Sequence, residues 1–236
     1  SLIMYNSYAL NSFLTFRFVY DNTEWKKGLL PYSPKINNLE KYLVNSSDDI
    51  VESISQVISN IDLNKTALLL SGGIDSSLTA VIASMALGPE NIIGVSLPSK
   101  FSSSHSVNDA RELAENLGIE YKLISIDSLF NEIKAQLKDF RDSGEHGTLE
   151  ENLQARIRGN LLMAISNKSG ALLLNTGNKT EIALGYCTMY GDMCGAIGVI
   201  SDLNKEQVYM VSKWINKSFE SRFIPENVIN KKPSAE

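Results

Sequence analysis

Residues 66–87 read TALLLSGGIDSSLTAVIASMAL and contain three consecutive patterns that decide the fold. Residues 67–70 form a short apolar run, which is typical of a buried parallel strand. Residues 71–73, the sequence SGG, form a glycine turn. From Ser76 onward the apolar residues recur at helical spacing, with alanines between them. The stretch therefore predicts a strand, a tight turn and a helix.

The glycine turn (residues 71–73) has the features of an anion site. Two glycines let the backbone bend sharply and approach a ligand closely. The free N–H groups at the start of the helix, together with the helix dipole, attract phosphate. Ser71, Ser76 and Ser77 add hydroxyl groups, and Asp75 is placed where a carboxylate can hold a divalent cation against phosphates. An ordinary structural turn is the alternative interpretation of SGG alone.

Outward from this stretch, apolar runs and amphipathic segments alternate along the chain. Predicted strands cover 91–99, 121–126 and 171–175, and predicted helices cover 46–61, 101–118, 128–140, 147–170 and 204–217. This order predicts an α/β fold, a doubly wound and mostly parallel sheet with helices on both faces. Ligands bind such sheets at the carboxyl ends of the strands, where the glycine turn and the LPSK turn at 97–100 are expected to lie. We assign residues 1–45 to an N-terminal arm or linker and 46–236 to one domain.

The amino-acid composition limits the classes of function that the protein can have. Of 236 residues, 43% are hydrophobic and 21% are charged, as in an ordinary soluble globular protein. The net charge of −5 argues against a nucleic-acid partner. No apolar run approaches the ~20 residues of a membrane span, and no secretory signal is visible, so we expect a cytoplasmic protein without a membrane partner. Two cysteines cannot form a disulfide framework, and we expect reduced thiols without a catalytic role.

Several further motifs extend the SGGxDS pattern, which lacks the GK[ST] of a Walker loop. They are ENLQARIRGNLL at 151–162, TGNKTE at 176–181, GYCTMYGD at 185–192, LNKEQVY at 203–209 and IPENVINKKPSAE at 224–236. SGGxDS is similar to the pyrophosphate loop of the ATP pyrophosphatases. The whole set, in this order and spacing, resembles the synthetase domain of the NAD synthetases, and most of all their glutamine-dependent branch. The resemblance implies an adenine nucleotide alpha hydrolase-like fold.

The resemblance also implies roles for individual residues. Asp75 and Glu181 would hold Mg²⁺, and Lys205 would join them in catalysis. Asn152, Arg156 and Glu181 would line the site for nicotinic acid adenine dinucleotide. The implied ATP-binding residues are Leu69, Leu70, Ser71, Gly72, Gly73, Ile74, Asp75, Ser76, Thr176, Lys205 and Ser234.

The implied reaction has two steps. The nicotinate carboxylate attacks the α-phosphate of ATP and expels pyrophosphate with magnesium, and ammonia then attacks the acyl adenylate to give NAD and AMP. A carboxylate nucleophile needs no general base, which agrees with the absence of a Ser-His-Asp or Cys-His pattern. The resemblance further implies a homodimer, and a glutaminase domain or subunit as one source of ammonia.

Two features depart from the family's pattern. Met189 stands where the ammonia-dependent branch has a substrate-binding lysine. The family's chain also continues beyond PSAE, so we expect the domain to be truncated at its C-terminus, and residues 1–65 are too short for a nitrilase-like glutaminase. Two alternatives stay open: another ATP pyrophosphatase amidotransferase, such as an asparagine-synthetase-like enzyme, or a non-catalytic nucleotide-binding module.

Overall fold

The computed structural model describes residues 65–139, 148–219 and 222–231. Within these residues the chain forms a five-stranded sheet in the order β3-β2-β1-β4-β5. All four strand pairings are parallel, which confirms the predicted sheet. The strands are β1 (Thr66–Leu69), β2 (Ile92–Ser96), β3 (Glu120–Leu123), β4 (Leu172–Asn175) and β5 (Ile197–Gly198).

Helices connect the strands and cover both faces of the sheet. A short 3-10 helix, Pro89–Asn91, precedes β2. The α-helices of the described residues are α1 (Ile74–Leu87), α2 (Ser104–Leu117), α3 (Asp127–Gln136), α4 (Thr148–Ser169), α5 (Lys179–Leu184), α6 (Lys205–Ser218) and α7 (Glu226–Asn230). The predicted helix at 46–61 and the arm at 1–45 lie outside the described residues. None of the helices in the described ranges is both long and apolar enough to cross a membrane.

Strand β3 ends earlier than the sequence pattern predicts. The apolar pattern at 121–126 suggests a strand to residue 126, whereas β3 stops at Leu123. The backbone then turns inward: Ile124 N–H donates to the Ser96 carbonyl, Ile126 N–H donates to the Pro98 carbonyl, and the Ile126 side chain is fully buried. Of the last three apolar residues of this segment, only Ile126 is buried, whereas Leu123 and Ile124 are 46% and 40% exposed, so the apolar pattern does not mark the end of the strand.

The core consists of two apolar layers, one on each face of the sheet. The first layer is centred on α1, where Leu78 and Val81 are fully buried and pack with residues of α2 and α6. The second layer lies against the opposite face, where Phe130 of α3 and Ile157 of α4 pack with the strands. Because α1 is enclosed on nearly all sides, its sequence is apolar around most of its circumference.

The strand order reverses at the centre of the sheet. From β1 the chain moves outward through β2 to β3, and it then crosses back to β4 on the other side of β1. Such a reversal leaves a crevice at the carboxyl edge of the sheet, which is where open α/β sheets bind ligands. The glycine turn follows β1 and therefore lies at this crevice.

Candidate functional site

The glycine turn leads directly into helix α1. Gly73 is the N-cap residue in an extended conformation and has no side chain with which to cap the helix. The hydroxyls of Ser76 and Ser77 both donate to the Gly73 carbonyl, over 3.1 and 2.8 Å. The Ser71 and Ser76 hydroxyls lie 3.1 Å apart on the inner side of the turn. The turn thus presents hydroxyls beside a helix N-terminus, which is the arrangement that binds phosphate.

Position 72 requires glycine for two reasons, its backbone conformation and the closeness of Ser106. Its φ is +77°, in the region that favours glycine. A Cβ atom at this position would lie 2.1 Å from the backbone oxygen of Ser106 in α2. The turn is therefore packed directly against the first turn of α2.

Asp75 lies at the start of α1 and is held by two distant parts of the chain. Its Oδ1 accepts a hydrogen bond from Asn178 Nδ2 over 2.9 Å. Its Oδ2 forms an ion pair with Lys205 Nζ at the start of α6. The Asp75 side chain is 17% exposed, so the carboxylate faces the crevice from a mostly buried position.

Glu181 reaches the same point through a capping box at the start of α5. Asn178 is the N-cap: its Oδ1 accepts from Glu181 N–H over 3.0 Å, and Glu181 Oε2 accepts from Asn178 N–H over 3.1 Å. Asn178 is fully buried and contacts both carboxylates, Asp75 through its side-chain amide and Glu181 through its backbone N–H. We call Asp75, Asn178, Glu181 and Lys205 the polar cluster.

The negative charge of Asp75 acts on the Glu181 carboxylate within the polar cluster. Burial is the main cause that raises the pKa of Glu181 above its ordinary value, and the negative charges of Asp75 and Asp192 raise it further. The hydrogen bond from the Asn178 backbone and the positive charge of Lys205 act in the opposite direction. Two carboxylates that repel one another in a partly buried crevice form a favourable site for a cation.

Within the described residues, no group of three or more His, Cys, Asp or Glu side chains is arranged to hold a metal ion. Asp75 and Glu181 together supply two carboxylates. A magnesium ion is often bound by one or two carboxylates, with the remaining ligands coming from substrate phosphates and water. The polar cluster therefore fits a cation that arrives with a phosphorylated ligand.

Asn152 and Arg156 lie on one flank of α4 and hold the segment that follows α5. Asn152 Oδ1 accepts from the Thr188 hydroxyl over 2.8 Å, and Arg156 Nε donates to the Met189 carbonyl over 3.2 Å. The next residue, Tyr190, has a positive φ of 62° and is 81% exposed. The flank of α4 thus supports an exposed segment, 185–192, beside the crevice.

A second depression lies between the carboxyl ends of β1 and β2. Its walls combine apolar side chains with serine hydroxyls and Arg158, and they include Leu69, Leu70, Ser71, Ser96, Leu97, Pro98, Ser102, Ser106 and Val107. Arg158 Nε donates to the Leu97 carbonyl over 3.0 Å, and burial lowers the pKa of this guanidinium. Ser99 Oγ donates to Gln154 Oε1 over 2.7 Å. Helix α4 therefore fixes the end of β2.

The residues predicted from the sequence fall into three groups. Asp75, Glu181 and Lys205 come together in the polar cluster, and Thr176 lies in the turn between β4 and α5 that also carries Asn178. Asn152 and Arg156 contact the 185–192 segment through their hydrogen bonds with Thr188 and Met189. Ser234 lies outside the described residues.

Sequence reasoning missed Asn178, Gln154 and Arg158. Asn178 carried a usable signal, because Asn followed three residues later by Glu is the pattern of a helix capping box. Arg158 and Gln154 carried no local signal, because their partners Leu97 and Ser99 lie 61 and 55 residues away.

Comparisons with known proteins agree with this geometry. A family model described as NAD synthase matches residues 46–236. The chain is 48% identical over 187 residues to a glutamine-dependent NAD(+) synthetase of Synechocystis sp., covering 79% of this chain and 33% of that protein. It is 45% identical over 205 residues to the glutamine-dependent NAD(+) synthetase of Thermotoga maritima, covering 87% of this chain and 36% of that protein. The chain thus spans about a third of the length of these relatives.

Solved structures show the same fold. A glutamine-dependent NAD+ synthetase of Acinetobacter baumannii, in complex with adenosine diphosphate, superimposes with a TM-score of 0.78 at 37% identity, over 87% of this chain and 38% of that one. An NMN synthetase of Francisella tularensis superimposes with a TM-score of 0.72 at 29% identity, over 87% of this chain and 77% of that one.

Proposed function

The chain belongs to the NAD synthase family, and we propose that it carries out the ATP-dependent amidation of nicotinic acid adenine dinucleotide to NAD. The observation that carries the proposal is the polar cluster, in which Asp75, Glu181 and Lys205 meet around Asn178 at the mouth of the glycine turn. The reaction belongs to the class of ligases that form a C–N bond. We favour this reaction over two alternatives, an asparagine-synthetase-like activity and a non-catalytic nucleotide-binding module, because the relatives are NAD synthetases.

ATP is proposed to bind along the carboxyl edge of β1. The glycine turn and the hydroxyls of Ser71 and Ser76 would hold the phosphates, and Thr176 and Lys205 would contact ATP from the opposite side. The depression between β1 and β2 borders the same turn and adds apolar side chains and serine hydroxyls beside the proposed phosphate site. The Acinetobacter baumannii relative, which shares this fold, was solved in complex with ADP, and that complex supports the proposal that the fold binds a nucleotide. Ser234 remains a proposed ATP contact from the sequence.

Asp75 and Glu181 are the residues that we propose bind Mg²⁺. Both carboxylates face the crevice beside the glycine turn, and Lys205 already places a positive charge against Asp75. When bound, Mg²⁺ would offset the negative charge of the ATP phosphates and of the departing pyrophosphate. Asn178 holds both carboxylates in place through its side chain and its backbone N–H.

The protein's part in the chemistry is positioning and electrostatic stabilisation. The nicotinate carboxylate is already ionised at neutral pH and attacks the α-phosphate without a base. As the bond to pyrophosphate breaks, negative charge grows on the phosphate oxygens, where the N–H groups of α1 and the Lys205 ammonium can stabilise it. In the second step the ammonia nitrogen attacks the acyl carbon, AMP leaves, and the nitrogen releases a proton to water.

The nicotinate end of the substrate is proposed to bind at Asn152, Arg156 and Glu181. Arg156 is exposed, and both α4 residues lie against the 185–192 segment. Nicotinic acid mononucleotide is a second candidate acceptor, because the Francisella tularensis NMN synthetase shares the fold over 87% of this chain. The two acceptors share the reacting carboxylate and differ only in the adenylate portion.

We further propose a homodimer in the cytoplasm, with ammonia supplied either free or by a glutaminase domain or subunit. The 185–192 segment and the end of α5 expose apolar side chains, which suits burial against a second subunit. These side chains are Leu184, Tyr186, Met189 and Tyr190, each at least 64% exposed. Light scattering at micromolar concentration tests this, and a monomer there would count against the dimer.

The test of function is NAD formation from ATP, Mg²⁺ and nicotinic acid adenine dinucleotide, measured once with ammonium and once with glutamine. Ammonium-dependent activity is expected, with one pyrophosphate and one AMP released per NAD. A parallel reaction with the mononucleotide distinguishes the two acceptors. Pyrophosphate release driven by aspartate instead would support the asparagine-synthetase-like alternative, and ATP binding without any release would support the non-catalytic module.

A further inference from the structure

Lys231, the residue that follows α7, reaches back to the glycine turn. Its Nζ donates to the Gly72 carbonyl over 2.7 Å and to Asp109 Oδ2 over 3.1 Å. Lys231 lies 159 residues from Gly72 and 122 from Asp109 in the chain. The Lys231 side chain is 32% exposed and the Asp109 side chain is 5% exposed. The ammonium is therefore held by a buried carboxylate while it binds the turn.

Asp109 belongs to the same face of α2 that supports the glycine turn. It lies three residues after Ser106, so the two residues are neighbours on the helix surface. The Ser106 carbonyl is the atom against which Gly72 packs most closely. Helix α2 thus holds Gly72 from one side by backbone contact, and through Asp109 and Lys231 it also holds the Gly72 carbonyl.

The orientation of the Gly72 carbonyl fixes the orientation of the Gly73 N–H, because both belong to the same peptide group. In a planar trans peptide the carbonyl of one residue and the N–H of the next point in opposite directions. With the Gly72 carbonyl turned toward Lys231, the Gly73 N–H points into the turn, where it donates to Ser71 Oγ over 3.3 Å. If this peptide rotated, the Gly73 N–H would lose its contact with the Ser71 hydroxyl, which is proposed to hold a phosphate.

We propose that Lys231 is a positioning residue for the glycine turn, with Asp109 holding its ammonium in place. Lys231 does not touch the reacting atoms. It keeps the Gly72–Gly73 peptide in the orientation that directs the Gly73 N–H to the Ser71 hydroxyl, which is proposed to hold a phosphate, so ATP affinity depends on a contact made from the residue after α7. The inference rests on the proposed function in one respect, that the ligand of the turn is ATP.

The experiment compares two variants of the full chain. Lys231→Met removes both contacts and leaves Asp109 as a buried, unpaired carboxylate, which is expected to destabilise the fold. Lys231→Met combined with Asp109→Leu removes that buried charge, so the thermal midpoint should return toward the parent value. Lys213→Met, at an exposed position of α6, is the matched control. ATP affinity is measured calorimetrically without Mg²⁺, beside the thermal midpoint of each variant.

The double variant separates positioning from stability. If Lys231 positions the turn, the double variant regains its thermal midpoint and still binds ATP about tenfold more weakly, as expected when a charge-assisted hydrogen bond no longer orders a binding group. If Lys231 only neutralises Asp109, the double variant regains both its midpoint and its ATP affinity. An ATP Kd in the double variant within about threefold of the parent overturns the proposal.

Failure of this inference is distinguishable from failure of the proposed function. A parent protein that forms NAD, beside a double variant that binds ATP normally, overturns the positioning role alone. A parent that binds ATP without forming NAD overturns the amidation, while the ATP measurement on the variants still decides the role of Lys231. A parent that does not bind ATP overturns both.

Discussion

The side-chain amide of Asn178 donates a hydrogen bond to the carboxylate of Asp75 over 2.9 Å, although 103 residues separate them in the chain. The same Asn178 caps α5 and binds Glu181 through its backbone N–H. One buried residue therefore contacts both of the carboxylates proposed to hold Mg²⁺, one through its side chain and the other through its backbone. This relationship leads to the first two predictions.

Replacing Asp75 with Asn should abolish magnesium-dependent turnover while the fold stays intact. The change keeps the shape of the side chain but removes the charge that pairs with Lys205. We expect NAD formation to fall by a factor on the order of 10² or more. Asp139→Asn, at an exposed position after α3, is the control and should keep parental turnover. Unchanged turnover in Asp75→Asn would remove Asp75 from the metal site.

Replacing Asn178 with Ala should lower both stability and turnover. Loss of the helix cap costs about 1 kcal/mol, and loss of the Nδ2 donor frees Asp75. Asn204 forms the same kind of capping box at the start of α6 and is exposed, so Asn204→Ala is a matched control. Urea unfolding should show a loss of stability for both variants, larger for the buried Asn178. Steady-state kinetics should show a loss of turnover for Asn178→Ala and little change for Asn204→Ala. Equal kinetic losses would show that the cap alone matters.

Replacing Gly72 with Ala should damage the site far more than the same change at Gly118. Both glycines have a positive φ, +77° and +69°, so an alanine costs about 1–2 kcal/mol of strain at either position. At Gly118 a Cβ meets nothing within 4 Å, whereas at Gly72 it meets the Ser106 backbone. Gly72→Ala should therefore lose more stability and also ATP affinity. Similar unfolding midpoints for the two variants would contradict the packing of the turn on α2.

Burial raises the pKa of the Cys194 thiol from its ordinary 9.0 to about 11. A group whose pKa is higher in the folded state contributes stability below its unfolded pKa and loses it as the pH rises. The free energy of unfolding should therefore decline between pH 9 and about 11, because the unfolded chain ionises its thiol first. Urea unfolding across this range should show a smaller decline for Cys194→Ala. Burial also raises the pKa of the Cys187 thiol, so Cys187→Ala is a comparison that should lessen the decline as well. An unchanged decline in Cys194→Ala would assign the decline to other groups.

Most of the order of elements followed directly from the sequence, but strand β5 and the short helices α5 and α7 were not predicted. The strand-turn-helix of 66–87 and the alternation after it are local patterns, since burial of a strand or a helix face imposes its own periodicity on neighbouring residues. The parallel sheet and the glycine turn at its carboxyl edge were predicted and are confirmed. The early end of β3 was not predicted, because the apolar residues continue to Ile126 although Leu123 and Ile124 are exposed on this edge strand.

The sequence by itself determined most of the elements, the turn and the family to which the chain belongs. Only the tertiary structure decided which side chains meet: Asn178 with Asp75, Lys205 with Asp75, and Lys231 with Gly72. These pairs depend on β4 lying beside β1 and on helices α6 and α7 returning to the carboxyl edge. Periodicity reports how each segment is buried, whereas a hydrogen bond between residues more than 100 apart depends on how the segments pack, and no local pattern records that.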